Sequence, residues 1–205
     1  MYGYVIHRDV VIWLKGAAEV SRTVVAARKS DKPEDSAKVA EAFALMMEDG
    51  GAIQWFERAL QLNEKRGGGD AAKKFRIEAL ARKGFSHYRK GDDPAVLKRI
   101  SDELLASDPD GKLGVHDNAL FLRALYGGSG GEGVDLPATV DEAIRRFPDS
   151  EVMDGLLYCR AQVLWQFNQD KEGARKLLEE IRKKYPESPF RLSVEADLKQ
   201  FEPKK

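Results

Sequence analysis

The segment from Gly155 to Ser188 most constrains the fold, because it contains two amphipathic helix patterns joined by a short turn at Asn168–Asp170. In each pattern the apolar residues recur at intervals of three and four, which places them on one face of an α-helix. The first pattern carries Leu157, Tyr158, Ala161, Leu164 and Trp165, and the second carries Ala174, Leu177, Leu178 and Ile181. Pro186 ends the second helix, because its ring cannot continue the hydrogen-bond ladder.

The same plan returns at a regular interval earlier in the chain. Pro109 and Pro148 are 39 residues apart, and Pro148 and Pro186 are 38 apart. The residues around the second and third prolines also correspond, since Arg146–Ser150 reads RFPDS and Lys184–Ser188 reads KYPES. A single helical hairpin cannot bury its apolar face alone, whereas stacked hairpins can. The repeat therefore predicts an all-α fold of stacked hairpins.

Helix patterns cover most of the remaining sequence, and no segment shows a convincing strand alternation. They run from about 5 to 28, 34 to 47, 52 to 65, 71 to 90, 95 to 107, 115 to 126 and 137 to 147, with a last helix after Pro189. Glycine and proline clusters predict the breaks, among them Asp49–Gly51, Gly67–Gly69 and a glycine loop at Gly127–Asp135. Ser188 and Asp70 stand where helix caps are expected.

Two stretches resemble the tetratricopeptide repeat (TPR) family. Residues 79–92 read ALARKGFSHYRKGD, with Gly84 at the family's small position and Tyr88 or His87 at its aromatic position. Family-like spacings recur at Tyr158, Ala161, Trp165, Ala174, Leu178 and Pro186. The resemblance implies a right-handed α-solenoid of antiparallel helical hairpins with about ten helices. It implies an N-terminal capping helix in residues 1–30, repeats over 34–188, and a C-terminal capping helix and tail in 189–205.

Charge and composition exclude some classes of protein. Lys and Arg together number 34, as do Asp and Glu, and this zero net charge argues against a dedicated nucleic-acid binder. The longest apolar run near the N-terminus, Val10–Leu14, has five residues and is too short to span a bilayer. The one cysteine, Cys159, suits a reducing compartment. We therefore expect a cytoplasmic protein with no membrane span, or a periplasmic or envelope-associated one if the sequence is a fragment lacking its signal.

The motifs that could carry chemistry are incomplete. His7–Asp9 looks like the start of a kinase catalytic loop, but Leu14 stands where a metal-binding Asn is required. Gly128–Gly133 matches G-x-G-x-x-G but follows a helix pattern, whereas the dinucleotide motif follows a strand. The three histidines lack second ligands at metal-site spacing, and Cys159 is expected to be a packed or groove-lining thiol. We expect no catalytic residue, no cofactor and no metal, hence a protein that is not an enzyme.

The resemblance also implies where a partner would bind. In the TPR family, the first helix of each hairpin lines a concave groove that holds a peptide or helix of a partner protein. The corresponding positions here are Arg82, Phe85, Tyr88, Arg89, Phe121, Leu125, Cys159, Arg160, Val163 and Phe167, with Ala81, Leu122 and Gln166 beside them. They include three arginines and no acid, which predicts an acidic partner segment with one or two apolar anchors. The alternative is that these arginines only pair with neighbouring acids such as Glu78.

A second function stays open at this level. The YPESPF sequence from Tyr185 to Phe190 is similar to bacterial envelope-assembly proteins that contain such repeats. This similarity implies a structural assembly component that packs through its outer surface against large partners or against itself. Self-association that depends on concentration would favour assembly over the scaffold. The oligomeric state is not predicted.

Overall fold

The computed structural model describes residues 20–201, and every regular element within them is an α-helix. The prediction of an all-α chain is therefore confirmed for this part of the protein. The helices are α1, whose described part covers 20–28, α2 Pro33–Leu45, α3 Asp49–Arg66, α4 Asp70–Lys90, α5 Ala95–Ser107, α6 His116–Gly128, α7 Leu136–Arg146, α8 Met153–Gln166, α9 Lys171–Lys184 and α10 Arg191–Gln200. Most of the predicted first helix, from Val5, lies outside the described residues.

Local sequence signals account for several helix ends. The break at Gly67–Gly69 separates α3 from α4 as predicted, and Gly67 and Gly69 have φ angles of 89° and 149°, which side chains disfavour. The Asp170 carboxylate caps α9 by accepting a hydrogen bond from the Gly173 amide at 2.8 Å. Before α10, the Ser188 hydroxyl accepts from the Phe190 amide at 3.1 Å. These breaks require no long-range contact, which is why they are readable in the sequence.

The predicted turn at Asp49–Gly51 is wrong, because α3 already begins at Asp49. The chain instead reverses just before it, where Met47 has a φ angle of 60°. Gly51 serves packing: a Cβ atom on it would lie 2.6 Å from Cδ1 of Phe43 in α2. The glycine therefore lets α2 and α3 approach closely beside their connection.

The predicted glycine loop is shorter than expected, because α6 continues through Gly128. The connection to α7 lies against Tyr126, whose ring contacts Gly131 and whose hydroxyl donates to the Glu132 carbonyl at 3.2 Å. At the end of the connection, the Asp135 carboxylate accepts from the Ala138 amide at 3.0 Å and caps α7. The loop is thus tied to the helices at both of its ends.

The chain forms two compact units, the first ending at Asp92 and the second beginning at Asp93. The repeat region predicted at 34–188 extends over both. In the first unit α3 packs against α2 and α4. Its buried cluster contains Ala40, Ala52, Phe56 and Ala79, with Phe43, Ala44, Trp55, Leu60 and Phe75 packed around it. Glu34 at the start of α2 pairs with Arg66 at the end of α3, with N–O distances of 2.6 and 3.0 Å.

In the second unit, each helix from α5 to α10 packs against the next, and α6 also packs against α8. The buried side chains include Leu104, Leu122, Val140, Leu156, Leu178, Ile181 and Val194. Complete burial of one such side chain stabilises a fold by about 1.5–3 kcal/mol relative to leaving it in water. The second unit therefore has a hydrophobic core of its own.

Candidate functional site

Four of the predicted groove residues are core residues in the second unit. Phe121 and Leu125 on α6, and Cys159 and Val163 on α8, are all buried. Burial raises the pKa of the Cys159 thiol to about 12, which makes it a poor nucleophile at neutral pH. In this conformation these side chains stabilise the packing of the helices and are not accessible to a ligand.

The α4 residues Arg82, Phe85, Tyr88 and Arg89 lie on or near the surface of the first unit, and both arginines are bound to acids of other helices. Arg82 pairs with Glu41 of α2. Arg89 pairs with Asp49, the first residue of α3, at 2.5 Å. The Arg89 guanidinium also lies 5.1 Å from the centre of the Phe85 ring, and the ring centres of Phe85 and Tyr88 are 6.1 Å apart.

The remaining predicted arginine, Arg160 on α8, pairs with Asp141 of α7. All three groove arginines thus have acidic partners, as the alternative interpretation expected. The acid suggested by sequence, Glu78, lies 3.9 Å from Lys74 instead. An external carboxylate would have to compete with Glu41, Asp49 and Asp141 for these guanidinium groups.

Several exposed apolar side chains lie at or just beyond the ends of helices. Leu45 at the end of α2 is 86% exposed, and Met47 in the following turn is also exposed. The Met47 sulfur lies 4.0 Å from Nη1 of Arg89, so this apolar turn adjoins the Arg89–Asp49 pair. Phe167, the predicted groove residue at the end of α8, is 57% exposed. It is the one apolar member of the predicted set that protrudes this far into solvent.

A polar connection between α8 and α10 has no counterpart in the sequence analysis. Asp197 of α10 is buried, and its Oδ2 accepts hydrogen bonds from the Tyr158 hydroxyl at 3.0 Å and from Nε2 of Gln162 at 2.6 Å. The aromatic ring of Tyr158 stacks on Phe190, with ring centres 5.2 Å apart. A polar residue in an otherwise apolar helix stripe was the only sequence signal for this contact.

A cleft of about 500 Å³ opens between the end of α8, the start of α9 and the end of α10. It is lined by Trp165, Lys171, Glu172, Arg175, Gln200 and Phe201. The helical pattern places Trp165 on a core face, yet its ring is only half-buried and contacts Phe201. The cleft was missed because its walls come from three helices that are separate in sequence.

A smaller cleft of about 220 Å³ adjoins the glycine-rich connection and is lined by Lys98, Arg123, Gly133, Val134, Asp135 and Thr139. Both of its cations are bound to Asp102, Lys98 at 2.7 Å and Arg123 at 2.6 Å. The G-x-G-x-x-G motif follows helix α6, so the strand that a dinucleotide site requires is replaced by a helix.

Within residues 20–201, no three His, Cys, Asp or Glu side chains are grouped as a metal site would need. Over the same residues, none of the helices is long and apolar enough to cross a membrane. Comparison of the chain with protein-family models, with curated proteins and with solved structures finds no match.

Proposed function

We propose that the chain is a non-enzymatic protein-interaction scaffold, in which each unit is built from stacked antiparallel helical hairpins of the right-handed α-solenoid type, as in TPR proteins. The first helices of the hairpins would hold a peptide or helix of a partner protein. Such a surface works through its shape, and it needs no reactive group.

The contact register between α8 and α10 carries the proposal. Tyr158, Gln162 and Trp165 follow one another along α8. They contact, in the same order, Phe190 just before α10, Asp197 within it and Phe201 just after it. Contacts in matching order are expected of two helices that run in the same direction, with α9 returning between them. First helices of successive hairpins stand in this relation in helical-hairpin arrays.

Contacts elsewhere support the same arrangement. Between α6 and α8, Asp117 accepts a hydrogen bond from Ser150 just before α8, and Phe121 lies against Gly155 further along. Between α2 and α3 the order is reversed. Glu34 at the start of α2 meets Arg66 at the end of α3, and Phe43 near the end of α2 meets Gly51 near the start of α3. This is the register of an antiparallel hairpin.

The surface charges suggest how a partner would be selected. Arg82 of α4 with Glu41 of α2 presents both signs of charge on two first helices, and Arg160 of the first helix α8 pairs with Asp141 of the second helix α7. A partner that complements both signs is expected to bind in one register. The single cysteine, which is buried, fits a reducing cytoplasmic compartment.

The test is affinity capture of a partner from native lysate, followed by binding of the purified partner to a charge-swapped chain. In that chain Arg82→Glu is combined with Glu41→Arg, so that the ion pair is kept and its direction is reversed. Binding that weakens several-fold at an unchanged melting temperature supports the proposal. Unchanged affinity would show that this face of α4 is not the binding surface.

The alternative function, a structural assembly component, predicts that the purified chain associates with itself or with a large partner through its outer surface. Leu192 on α10 is 72% exposed, and a second copy or a large partner would cover it. Sedimentation of the purified chain over a range of concentrations separates the two functions. If the chain forms a concentration-dependent oligomer and Leu192→Glu dissociates it, the result favours the assembly function over the scaffold function.

A further inference from the structure

The cleft at the α8, α9 and α10 ends combines an aromatic floor with a charged rim. The rings of Trp165 and Phe201 form the floor, with their centres 5.1 Å apart and their planes tilted by 60°. Both rings are partly exposed. A half-exposed aromatic pair in a cleft of about 500 Å³ offers the contact area that one bulky apolar side chain needs.

The rim carries Lys171, Arg175 and Glu172 at the start of α9. Glu172 is already shared by two cations, Arg175 at 3.4 Å and Lys176 at 3.7 Å. Lys171 has no acidic partner among residues 20–201, in contrast to the arginines of the predicted groove. The rim therefore has an ammonium group to offer to an incoming carboxylate.

The N-terminus of α9 adds positive charge to the rim of the cleft, but its Gly173 amide is not free to bind a ligand. The start of α9 carries the positive end of the helix dipole, which favours anions nearby. The Gly173 amide already donates its hydrogen bond to the Asp170 carboxylate. An anionic ligand would thus be held by the side chains of Lys171 and Arg175, and the planar Arg175 guanidinium suits paired hydrogen bonding with a carboxylate.

We propose that this cleft binds an acidic segment of a partner protein, with one bulky apolar side chain packed on Trp165 and Phe201 and a carboxylate held by Lys171 and Arg175. The inference rests on the proposed function and locates the acid-binding site of the scaffold away from the predicted groove. The occupant is acidic because the cations at the rim outnumber the acid, and because that acid is already bound by Arg175 and by Lys176 outside the cleft.

The probe is a synthetic peptide in which glutamates flank a single phenylalanine, titrated into the isotope-labelled full chain and followed by NMR. The expected result is a set of chemical-shift changes at the first-turn amides of α9 and at the Trp165 indole N–H. Binding should weaken with added salt, because exposed charges are screened. It should also weaken when glutamines replace the glutamates or when serine replaces the phenylalanine.

The variant Lys171→Glu tests the rim directly and is compared with Lys176→Glu. Both reverse the same charge on the same helix, but only Lys171 lines the cleft. A glutamate in the first turn of a helix is favourable, so Lys171→Glu is expected to fold. Peptide affinity should fall several-fold for Lys171→Glu and remain near that of the natural chain for Lys176→Glu.

Five results would overturn the inference. Equal weakening by both variants would show general charge attraction, and no shift with the glutamate peptide would show that the cleft does not bind it. Shifts centred on α4 or α6 would place the site elsewhere and leave the scaffold function intact. If deletion of residues 202–205 produced the same shifts without peptide, or if Lys171→Glu dissociated an oligomer, the occupant would be the chain's own tail or a second copy. Failure of the scaffold function itself is read separately, from the capture experiment.

Discussion

Gly51 shows that a glycine which looks like part of a turn in the sequence can instead allow two helices to pack closely. Gly51 follows Gly50 in a stretch that resembles a turn, yet both glycines lie inside the first turn of α3. A Cβ on Gly51 would meet the Phe43 ring, whereas a Cβ on Gly50 would meet nothing within 4 Å. The turn falls on Met47, which has a positive φ angle although it is not a glycine. The neighbours of a glycine, and not its residue type alone, therefore determine whether a side chain could be tolerated at that position.

Replacing Gly51 by alanine is expected to destabilise the protein, because the added methyl group would force the Phe43 ring to move. Overpacking of this kind typically costs about 1–3 kcal/mol in the free energy of unfolding. Gly50→Ala is the matched control, and we expect it to leave stability unchanged or to raise it by up to about 1 kcal/mol, because alanine favours the helix. Chemical denaturation of both variants measures the difference. Equal stability of the two variants would contradict the close approach of α2 and α3.

Pairs of helices are tied together by polar contacts as well as by apolar packing, and α5 with α6 is an example. The buried Ser101 hydroxyl of α5 donates to the Ala119 carbonyl of α6 at 2.8 Å. Next to it, Asp102 accepts from Lys98 on its own helix and from Arg123 on α6. The hydrogen bond from Lys98, together with that from Arg123, holds the pKa of Asp102 below its usual range although partial burial opposes this.

The lowered pKa of Asp102 predicts a pH-dependent contribution to stability. A carboxyl group with a depressed folded-state pKa stabilises the fold above its unfolded pKa of about 3.9. That contribution is lost as the pH falls through the lower, folded-state value. Because the carboxylate is 43% exposed, the stabilisation at neutral pH is expected to be about 0.5–1 kcal/mol and to fall with added salt.

The measurement is the free energy of unfolding of Asp102→Asn and of the natural chain across the acidic range. The difference between the two should be constant near neutral pH and should shrink below about pH 4, where the unfolded-state carboxyl takes up its proton. Asp110→Asn removes an equal charge from an exposed loop pair and serves as the control. A difference that persists undiminished in strong acid would mean that the ion pairs are not its source.

At the scale of the whole molecule, the chain is divided into two units that each have a buried core. Phe56 and Ile77 are fully buried in the first unit, and Leu156, Leu178 and Ile181 in the second. Each unit packs its helices mainly against their neighbours in sequence. Such local packing keeps the contacts short in sequence, which favours rapid folding.

Far-UV circular dichroism of the full chain tests the all-α architecture, including the residues outside 20–201. We expect a strongly helical spectrum with almost no strand signal. A strand content above about a fifth of the residues, close to the average for globular domains, would contradict it. The spectrum of Gly50→Ala, which adds a methyl group to a helix, should match that of the natural chain.

Within residues 20–201, periodicity and local capping signals predicted the helices, apart from the start of α3 and the end of α6. The break at Gly67–Gly69, the turn before Asp170 and the end at Pro186 were all readable in the sequence, because each depends on the backbone preferences of nearby residues. The all-α class follows from the same signals. The apolar stripes of α8 and α9 also predicted that Ala161, Ala174 and Leu178 would be buried.

Only the tertiary structure decided which surfaces remain open. A helical pattern shows that one face of a helix is apolar. It does not show which neighbouring helix packs on that face or how much of the face is buried. For this reason Phe121 and Cys159 are buried while Phe167 protrudes, and Arg160 is bound to an acid while Lys171 has no acidic partner among residues 20–201. The cleft at Trp165 and Phe201 depends on how the three successive helices α8, α9 and α10 pack together. Its position is set by packing across the unit, because no local preference of the chain specifies such a contact.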